Sequence, residues 1–188
     1  MRKVIFSMGM SLDGYIVGPD GRFDWGVPDR ESHLHANDEV RGLSAHLLGR
    51  RLYETMAVWE QPEFADSDDP VIADFASVWN PLPKIVFSRT RAQVSGRGAR
   101  LATGTLAEEI ARLRDAPGDG DIALGGATLA REAAILGLID EYHIMLHPVL
   151  VGGGIPYFAH DATHVDLELI ETRRFGSRIV YLAYRVMR

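Results

Sequence analysis

Short apolar segments alternate with helical patterns over about the first two-thirds of this 188-residue chain, and this alternation limits the possible folds most strongly. Four segments have the length and composition of buried strands. They are Lys3–Met8, Ala45–Leu48, Lys84–Ser88 and Asp121–Leu124. Helices that connect successive strands cover the two faces of a parallel sheet. The alternation therefore predicts an α/β protein.

The segments between the strands carry the start and stop signals of helices. Arg30–Leu43 and Arg50–Met56 are predicted helices, whereas residues 18–29 are dense in turn-forming residues and are predicted to be a loop. A third helix follows Asp69, a favourable N-cap, and a fourth follows the capping-box pattern Thr105–Glu108. A fifth helix follows the last strand of this series and ends at Gly137.

The hydrophobic period changes to two near the end of the chain, which indicates antiparallel strands. The alternating residues form three sets: Tyr142, Ile144 and Leu146; Val165, Leu167 and Leu169; and Val180, Leu182, Tyr184 and Val186. Residues 174–177 have the composition of a hairpin turn. We therefore predict a single domain over residues 1–188, a three-layer αβα sandwich with a mixed, mostly parallel central sheet and an antiparallel C-terminal hairpin.

Composition excludes several classes of protein and site. The chain has no cysteine, which excludes disulfides, thiolate nucleophiles and Cys-ligated metals. Its net charge of -6 argues against a broad nucleic-acid-binding surface. No apolar run approaches the roughly 18 residues of a membrane span, and the N-terminus lacks a signal-peptide pattern. We expect a cytoplasmic protein without nucleic-acid or membrane partners.

Histidine spacing gives no metal site either. His33 and His35 point in different directions on a helix. His143 and His147 share a strand face, but the sequence pattern places no carboxylate beside them. We predict no bound metal.

Three strand ends are candidate phosphate sites. They are Leu48-Gly49-Arg50-Arg51, Phe87-Ser88-Arg89-Thr90 and Leu124-Gly125-Gly126-Ala127-Thr128. Ligands of open α/β sheets bind at the carboxyl ends of the strands, where helix N-termini offer free N–H groups. Guanidinium groups add charge that suits a phosphate. Taken together, these segments predict a dinucleotide site that prefers NADPH to NADH, although each one alone is also compatible with an ordinary turn or a solvated helix start.

Several further motifs occur in a fixed order along the chain. They are Ser11–Ile16, a Trp after the following loop, Gly49–Glu54, Lys84–Thr90, Gly125–Leu129, Asp140–Ile144, Pro148 and Gly152–Phe158. This ordered set resembles the dihydrofolate reductase-like superfamily. In particular it is similar to the reductase (C-terminal) domain of the bifunctional riboflavin-biosynthesis deaminase/reductase and its stand-alone relatives.

The resemblance implies NADPH as cofactor and assigns candidate positions to it. The implied cofactor-binding residues are Ile16, Gly49, Arg50, Arg51, Ser88, Arg89, Thr90, Leu124, Gly125, Gly126, Ala127, Thr128 and Leu129. Among them, residues 49–51 would lie at the 2′-phosphate and pyrophosphate, residues 88–90 at the adenosine, residues 125–128 at the pyrophosphate, and Ile16 beside the nicotinamide. Trp25, Tyr53 and Met56 are the candidate substrate contacts, and the loop from Gly18 to Trp25 would cover the cofactor.

The activity implied is transfer of a hydride to a small pyrimidine or pterin-type molecule, as in 5-amino-6-(5-phosphoribosylamino)uracil reduction. Asp13, Asp29 and Glu31 are the candidate proton donors, together with a bound water. Dihydrofolate reduction is an alternative, and so is a nucleotide-binding module without catalysis. Relatives of this kind are commonly dimers, so the resemblance also implies a homodimer.

Overall fold

The computed structural model describes residues 1–158 and 164–188. The ten strands of this part are β1 Val4–Ser11, β2 Tyr15–Val17, β3 Leu43–Gly49, β4 Lys84–Phe87, β5 Ala99–Leu101, β6 Asp121–Gly125, β7 Glu141–His147, β8 Ile155–Pro156, β9 Leu167–Arg174 and β10 Val180–Val186. The six α-helices are α1 Arg30–Arg41, α2 Arg50–Met56, α3 Pro62–Ala65, α4 Pro70–Trp79, α5 Leu106–Asp115 and α6 Ala127–Ile135.

Eight of the strands form one central sheet in the order β5-β4-β3-β6-β1-β7-β10-β9. The strands from β5 to β7 are parallel, and β10 runs antiparallel to both of its neighbours. The sheet is therefore mixed and mostly parallel, and the β9–β10 pair is the antiparallel C-terminal hairpin. Strands β2 and β8 form a separate two-stranded antiparallel sheet. The predicted fold class is confirmed.

Helices lie on both faces of the central sheet because the strands alternate apolar side chains between two cores. On one face, Leu106 and Ile110 of α5 and Leu129 of α6 pack against the strands. On the other face, Tyr53 of α2 and Trp79 of α4 pack in a second apolar cluster. A third, smaller cluster lies on the β10 side of the sheet, and the ring of His35 from α1 contacts it. These contacts define the three layers.

The helix boundaries follow the capping residues. The Asp69 side chain accepts the N–H of Val71 at the start of α4, and the Thr105 capping box is complete in α5. The predicted bounds of α2 are confirmed. Helix α1 ends at Arg41 instead of the predicted Leu43, because the chain turns at Gly42 and Leu43 already pairs in β3.

Within the described residues, none of the helices combines the length and the apolar character that a membrane crossing requires.

Candidate functional site

Three predicted bends lie side by side at one edge of the central sheet. Gly49 ends β3, Ser88 follows β4 and Gly125 ends β6, and these three strands are neighbours. The register pairs Leu48 with Gly125 and Gly49 with Phe87, so the strands end at the same level. Because the three strands are parallel, their carboxyl ends form one continuous edge. The structure thus brings together the segments that the sequence marks as phosphate sites.

The glycines at this edge allow close approach of the backbone. A Cβ on Gly125 would lie 2.6 Å from the Cδ2 atom of Leu52 and 2.8 Å from Nε2 of His46, so no larger residue fits there. Gly126 has φ +99°, a conformation that glycine adopts without strain, and it forms the N-cap of α6. Because Gly126 has no side chain, none separates the start of α6 from the backbone of Gly49. The edge is therefore a bare backbone surface to which two helix N-termini, those of α2 and α6, are directed.

Arginines surround this edge. Arg50 and Arg51 open α2, and Arg89 and Arg91 follow β4. The carboxylate of Glu54 accepts hydrogen bonds from Arg91 Nε at 2.9 Å and from Arg50 Nη1 at 3.2 Å. The Arg91 hydrogen bond, and then the charges of both arginines, hold the pKa of Glu54 below its usual value.

The positive charge exceeds the negative charge at this edge. Arg50 and Arg91 share the single carboxylate of Glu54, and Arg51 and Arg89 form no ion pair within residues 1–158 and 164–188. Cations near helix N-termini are electrostatically unfavourable by themselves, and an anionic ligand would offset that repulsion. The local charge therefore suits a phosphate.

The remaining predicted cofactor residues divide into surface and core positions. Thr128 is exposed and Ala127 is half-buried at the start of α6. The Ser88 hydroxyl accepts the N–H groups of Thr90 and Arg91, which fixes the turn after β4. Three of the predicted residues are buried in the main apolar core, namely Ile16 of β2, Leu124 of β6 and Leu129 of α6.

Asp13 connects two loops. Its carboxylate accepts the backbone N–H of Gly152 at 2.7 Å and that of Val151 at 3.2 Å. Hydrogen bonds from the Ser11 hydroxyl and from these two N–H groups lower the pKa of Asp13, although partial burial opposes them. Asp13 is therefore an ionised anchor between the β1–β2 turn and the loop after β7.

Asp29 and Glu31 hold the start of α1 against the C-terminal hairpin. Asp29 caps the helix by accepting from the Ser32 N–H at 2.9 Å and also accepts the Ser177 N–H at 3.0 Å. Glu31 accepts from Arg173 at 2.9 Å and from the Gly176 N–H at 3.2 Å. The hydrogen bonds of Ser32 lower the pKa of Asp29, and that of Arg173 lowers the pKa of Glu31. Both carboxylates have structural partners.

The three predicted substrate contacts lie in different surroundings. Tyr53 is buried in the second apolar cluster, and its hydroxyl accepts the Gly96 N–H at 2.9 Å. Met56 packs at the margin of the same cluster. Trp25 lies in the loop before α1, where its ring contacts that of His147 at a centroid distance of 5.4 Å. The structure does not gather these three side chains around one point.

Sequence reasoning missed three polar residues at this edge of the sheet. They are Glu54, Arg91 and His147. The i, i+4 spacing of Arg50 and Glu54 was a readable signal for the first. No local pattern marks the other two, because their partners come from distant segments. The described residues contain no group of three or more His, Asp or Glu side chains that could hold a metal ion.

Comparison with curated proteins gives relatives of similar length. The chain is 29% identical to the uncharacterised protein YyaP of Bacillus subtilis (strain 168) over 183 residues, which cover 97% of this chain and 94% of YyaP. It is also 29% identical to the uncharacterised protein YwjB of the same organism over 179 residues, which cover 95% of each chain.

Solved structures share the fold. A protein from Shewanella sp. PV-4, provisionally assigned to riboflavin biosynthesis, matches over the whole of both chains with 25% identity and a TM-score of 0.75. The deaminase/5-amino-6-(5-phosphoribosylamino)uracil reductase of Thermotoga maritima matches with 16% identity and a TM-score of 0.68, and 57% of that longer chain is covered. A sequence model of the RibD C-terminal domain matches residues 2–181. The chain therefore belongs to the RibD C-terminal domain family.

Proposed function

We propose that this protein is an NADPH-dependent reductase of a small pyrimidine or pterin-type molecule. The observation that carries the proposal is the convergence of three glycine- or serine-bearing strand ends under a cluster of four arginines. Membership of the RibD C-terminal domain family supports the same reading. The favoured reaction class is the one in the name of the Thermotoga maritima relative, reduction of 5-amino-6-(5-phosphoribosylamino)uracil.

The residues present fit a dinucleotide. The partly exposed backbone at Gly49 and Gly126 suits a pyrophosphate, which helix N-termini bind through free N–H groups. Arg51 and Arg89 suit the additional phosphate that distinguishes NADPH from NADH, because one guanidinium group can donate two parallel hydrogen bonds to the oxygens of a phosphate. When bound, NADPH would supply a hydride equivalent. The protein would position the two molecules and exclude water.

The contacts of Asp29 and Glu31 favour this reading over dihydrofolate reduction. Reduction of dihydrofolate needs an acidic side chain near Asp29 and Glu31 whose carboxyl group is available to the substrate. Both carboxylates here are ionised and bonded to the hairpin.

The test is a comparison of NADPH and NADH affinity by titration calorimetry. Wild-type protein should bind NADPH more tightly than NADH. Replacing both Arg51 and Arg89 by Gln should weaken NADPH binding by roughly tenfold per arginine and leave NADH binding nearly unchanged. Arg30→Gln, at an exposed arginine that pairs with Asp69, is the matched control.

Three outcomes would contradict the proposal. Equal affinity for the two cofactors in the wild type would reject the 2′-phosphate assignment, and no binding of either would reject the reductase. Tight NADPH binding without NADPH oxidation in the presence of any pyrimidine or pterin would identify a nucleotide-binding module instead.

A further inference from the structure

The arrangement of charges defines a direction for the cofactor along the sheet edge, and this inference rests on the proposed function. The arginines lie at the ends of β3 and β4, and the paired glycines lie at the end of β6. The end of the dinucleotide away from its 2′-phosphate therefore points toward β1 and β7, the next two strands. Neighbouring strands are about 4.8 Å apart, so the end of β7 is roughly 10 Å from that of β6. The reacting atoms belong in this interval.

His147 is the last residue of β7 and pairs with Ser11 at the end of β1. Its imidazole lies over the backbone of Gly9, where an added Cβ would be 3.1 Å from Nε2. On the other side, the indole of Trp25 meets the ring edge to face at 5.4 Å. The imidazole is thus enclosed between β1 and the loop that precedes α1, and only 5% of the residue is exposed.

Both ring nitrogens of His147 have unused hydrogen-bonding capacity. Neither has a hydrogen-bond partner in the described part of the chain, and neither is among the fully buried polar atoms. The groups that face the ring come from Trp25, from Gly9 and Ser11 of β1, and from its own strand. Burial alone lowers its pKa, since no charged residue contributes. This contrasts with His46, which is sealed beneath Gly125 and whose pKa falls to about 3.

The three carboxylates that the sequence suggests as proton donors do not compete with His147 for that role. Asp13, Asp29 and Glu31 each accept hydrogen bonds from backbone N–H groups, and each has a lowered pKa. A general acid needs a proton near neutral pH, which these groups lack. The His147 imidazole has no such hydrogen bonds, and an imidazole titrates closer to neutral pH than a carboxyl group does, although burial lowers the pKa of this one.

We propose that His147 donates a proton to the substrate. The reacting group of the substrate is a carbon–nitrogen or carbon–oxygen double bond next to a planar ring, and the proton goes to its nitrogen or oxygen. Addition of a hydride to the carbon, which bound NADPH would supply, would leave an electron pair on the nitrogen or oxygen. The N–H bond of the His147 imidazolium breaks, the proton forms a new bond to that atom, and solvent protonates the imidazole again. The net reaction consumes one hydride from NADPH and one proton.

The first experiment is NADPH oxidation with 5-amino-6-(5-phosphoribosylamino)uracil at a series of pH values, in the wild type, His147→Gln and His164→Gln. His164 is a surface control, because its side chain is 87% exposed. In the wild type the rate should fall as pH rises through the His147 pKa. His147→Gln should lower kcat on the order of a hundredfold and abolish this pH dependence. Calorimetry should give the same NADPH affinity for all three proteins.

A second measurement needs no turnover. The imidazole resonances of His147, assigned by their loss in His147→Gln, should titrate below the ordinary histidine pKa in the free wild-type protein. They should shift when the pyrimidine is added together with NADP⁺.

The two proposals fail in different ways. Absence of NADPH binding by the wild type rejects the cofactor site. Intact binding with a wild-type pH profile in His147→Gln, or an unshifted His147 resonance with the pyrimidine bound, rejects His147 as the donor.

Discussion

Nδ1 of His143 lies 2.6 Å from Oε1 of Glu39, so the last turn of α1 is joined to the middle of β7. On the other side of the ring, Nε2 lies 3.4 Å from Oε2 of Glu141. Burial alone would lower the pKa of His143, but the hydrogen bonds and charges of Glu39 and Glu141 outweigh it and raise the pKa. The imidazole therefore lies between two carboxylates, and both of them favour its protonated form.

The first prediction follows from this pair. A folded-state pKa above the unfolded value of about 6.5 gives stability that is complete below that pH and is lost as the pH rises through the folded-state pKa. Urea unfolding at several pH values should show this decline in the wild type. Glu39→Gln should be less stable at pH 6 and should have a flatter profile. Asp38→Asn, at the exposed neighbouring residue, should behave like the wild type. An unchanged decline in Glu39→Gln would contradict the prediction.

The second prediction concerns acid stability. The buried carboxylate of Glu109 accepts from Arg100 Nη2 at 2.7 Å and from the Thr103 N–H at 2.8 Å. The Arg100 hydrogen bond, opposed by burial, lowers the pKa of Glu109 to about 2. The resulting stability is present above the unfolded pKa and is lost as the pH falls from about 4.5 to 2, and it amounts to at most about 3 kcal/mol.

Urea unfolding of Glu109→Gln tests this. The variant should lose most of that free energy at pH 7 and should depend less on pH between 4.5 and 2. Glu132→Gln, on the exposed side of α6, should match the wild type. A Glu109→Gln variant as stable as the wild type at pH 7 would show that the ion pair contributes nothing.

The third prediction concerns the loop that Asp13 holds. Gly154 has φ +118°, and a Cβ there would overlap the carbonyl oxygen of Val17 in β2. Gly153 has φ +146°, but a Cβ there would meet no atom within 4 Å. Both alanine variants carry backbone strain, so the difference between them isolates the steric overlap. Gly154→Ala should be less stable than Gly153→Ala by about 1–3 kcal/mol in chemical denaturation. Equal stabilities would mean that the loop moves aside freely.

The fourth prediction concerns the outer edge of the sheet. We propose that two copies of the chain associate through β9, the last strand of the sheet, whose eight residues are all exposed. The strand carries exposed Leu167, Leu169 and Ile170, and it has Glu168 near its start and Arg173 and Arg174 at its end. A two-fold antiparallel arrangement would place opposite charges face to face and would satisfy the free backbone groups.

Light scattering during gel filtration measures the outcome. The wild type should be a dimer, and Leu169→Lys should be a monomer because a lysine blocks edge pairing. Ile135→Lys, at an exposed apolar residue of α6, should remain dimeric. A monomeric wild type at tens of micromolar would reject the β9 interface.

Local signals in the sequence were sufficient for most elements of the fold. The bounds of α2, the Asp69 cap and the capping box before α5 depend on neighbouring residues, so the sequence alone predicts them. The short strands β2, β5 and β8 have two or three residues, too few to show a period, and they form only because a distant segment lies beside them.

The candidate site was also predictable only in part. Its strand ends at Gly49, Ser88 and Gly125 were predictable, since parallel strands end at one edge. The partners of Asp29 and Glu31 were not, because they lie almost 150 residues away in the hairpin. The expectation of no carboxylate beside His143 is wrong: Glu39 comes from the distant α1, but Glu141 lies only two residues away on the same strand and could have been predicted.

The strand order also has a consequence for how the chain folds. Strand β6, formed after residue 120, lies between β1 and β3. In a nascent chain that stops before β6, the missing strand separates β1 from β3, and the main apolar core lacks β6, α6 and β7. The complete central sheet can therefore form only after β6 has been synthesised, and contacts of such long sequence separation slow folding. We expect N-terminal fragments that end before residue 121 to remain unfolded and to need chaperones during translation.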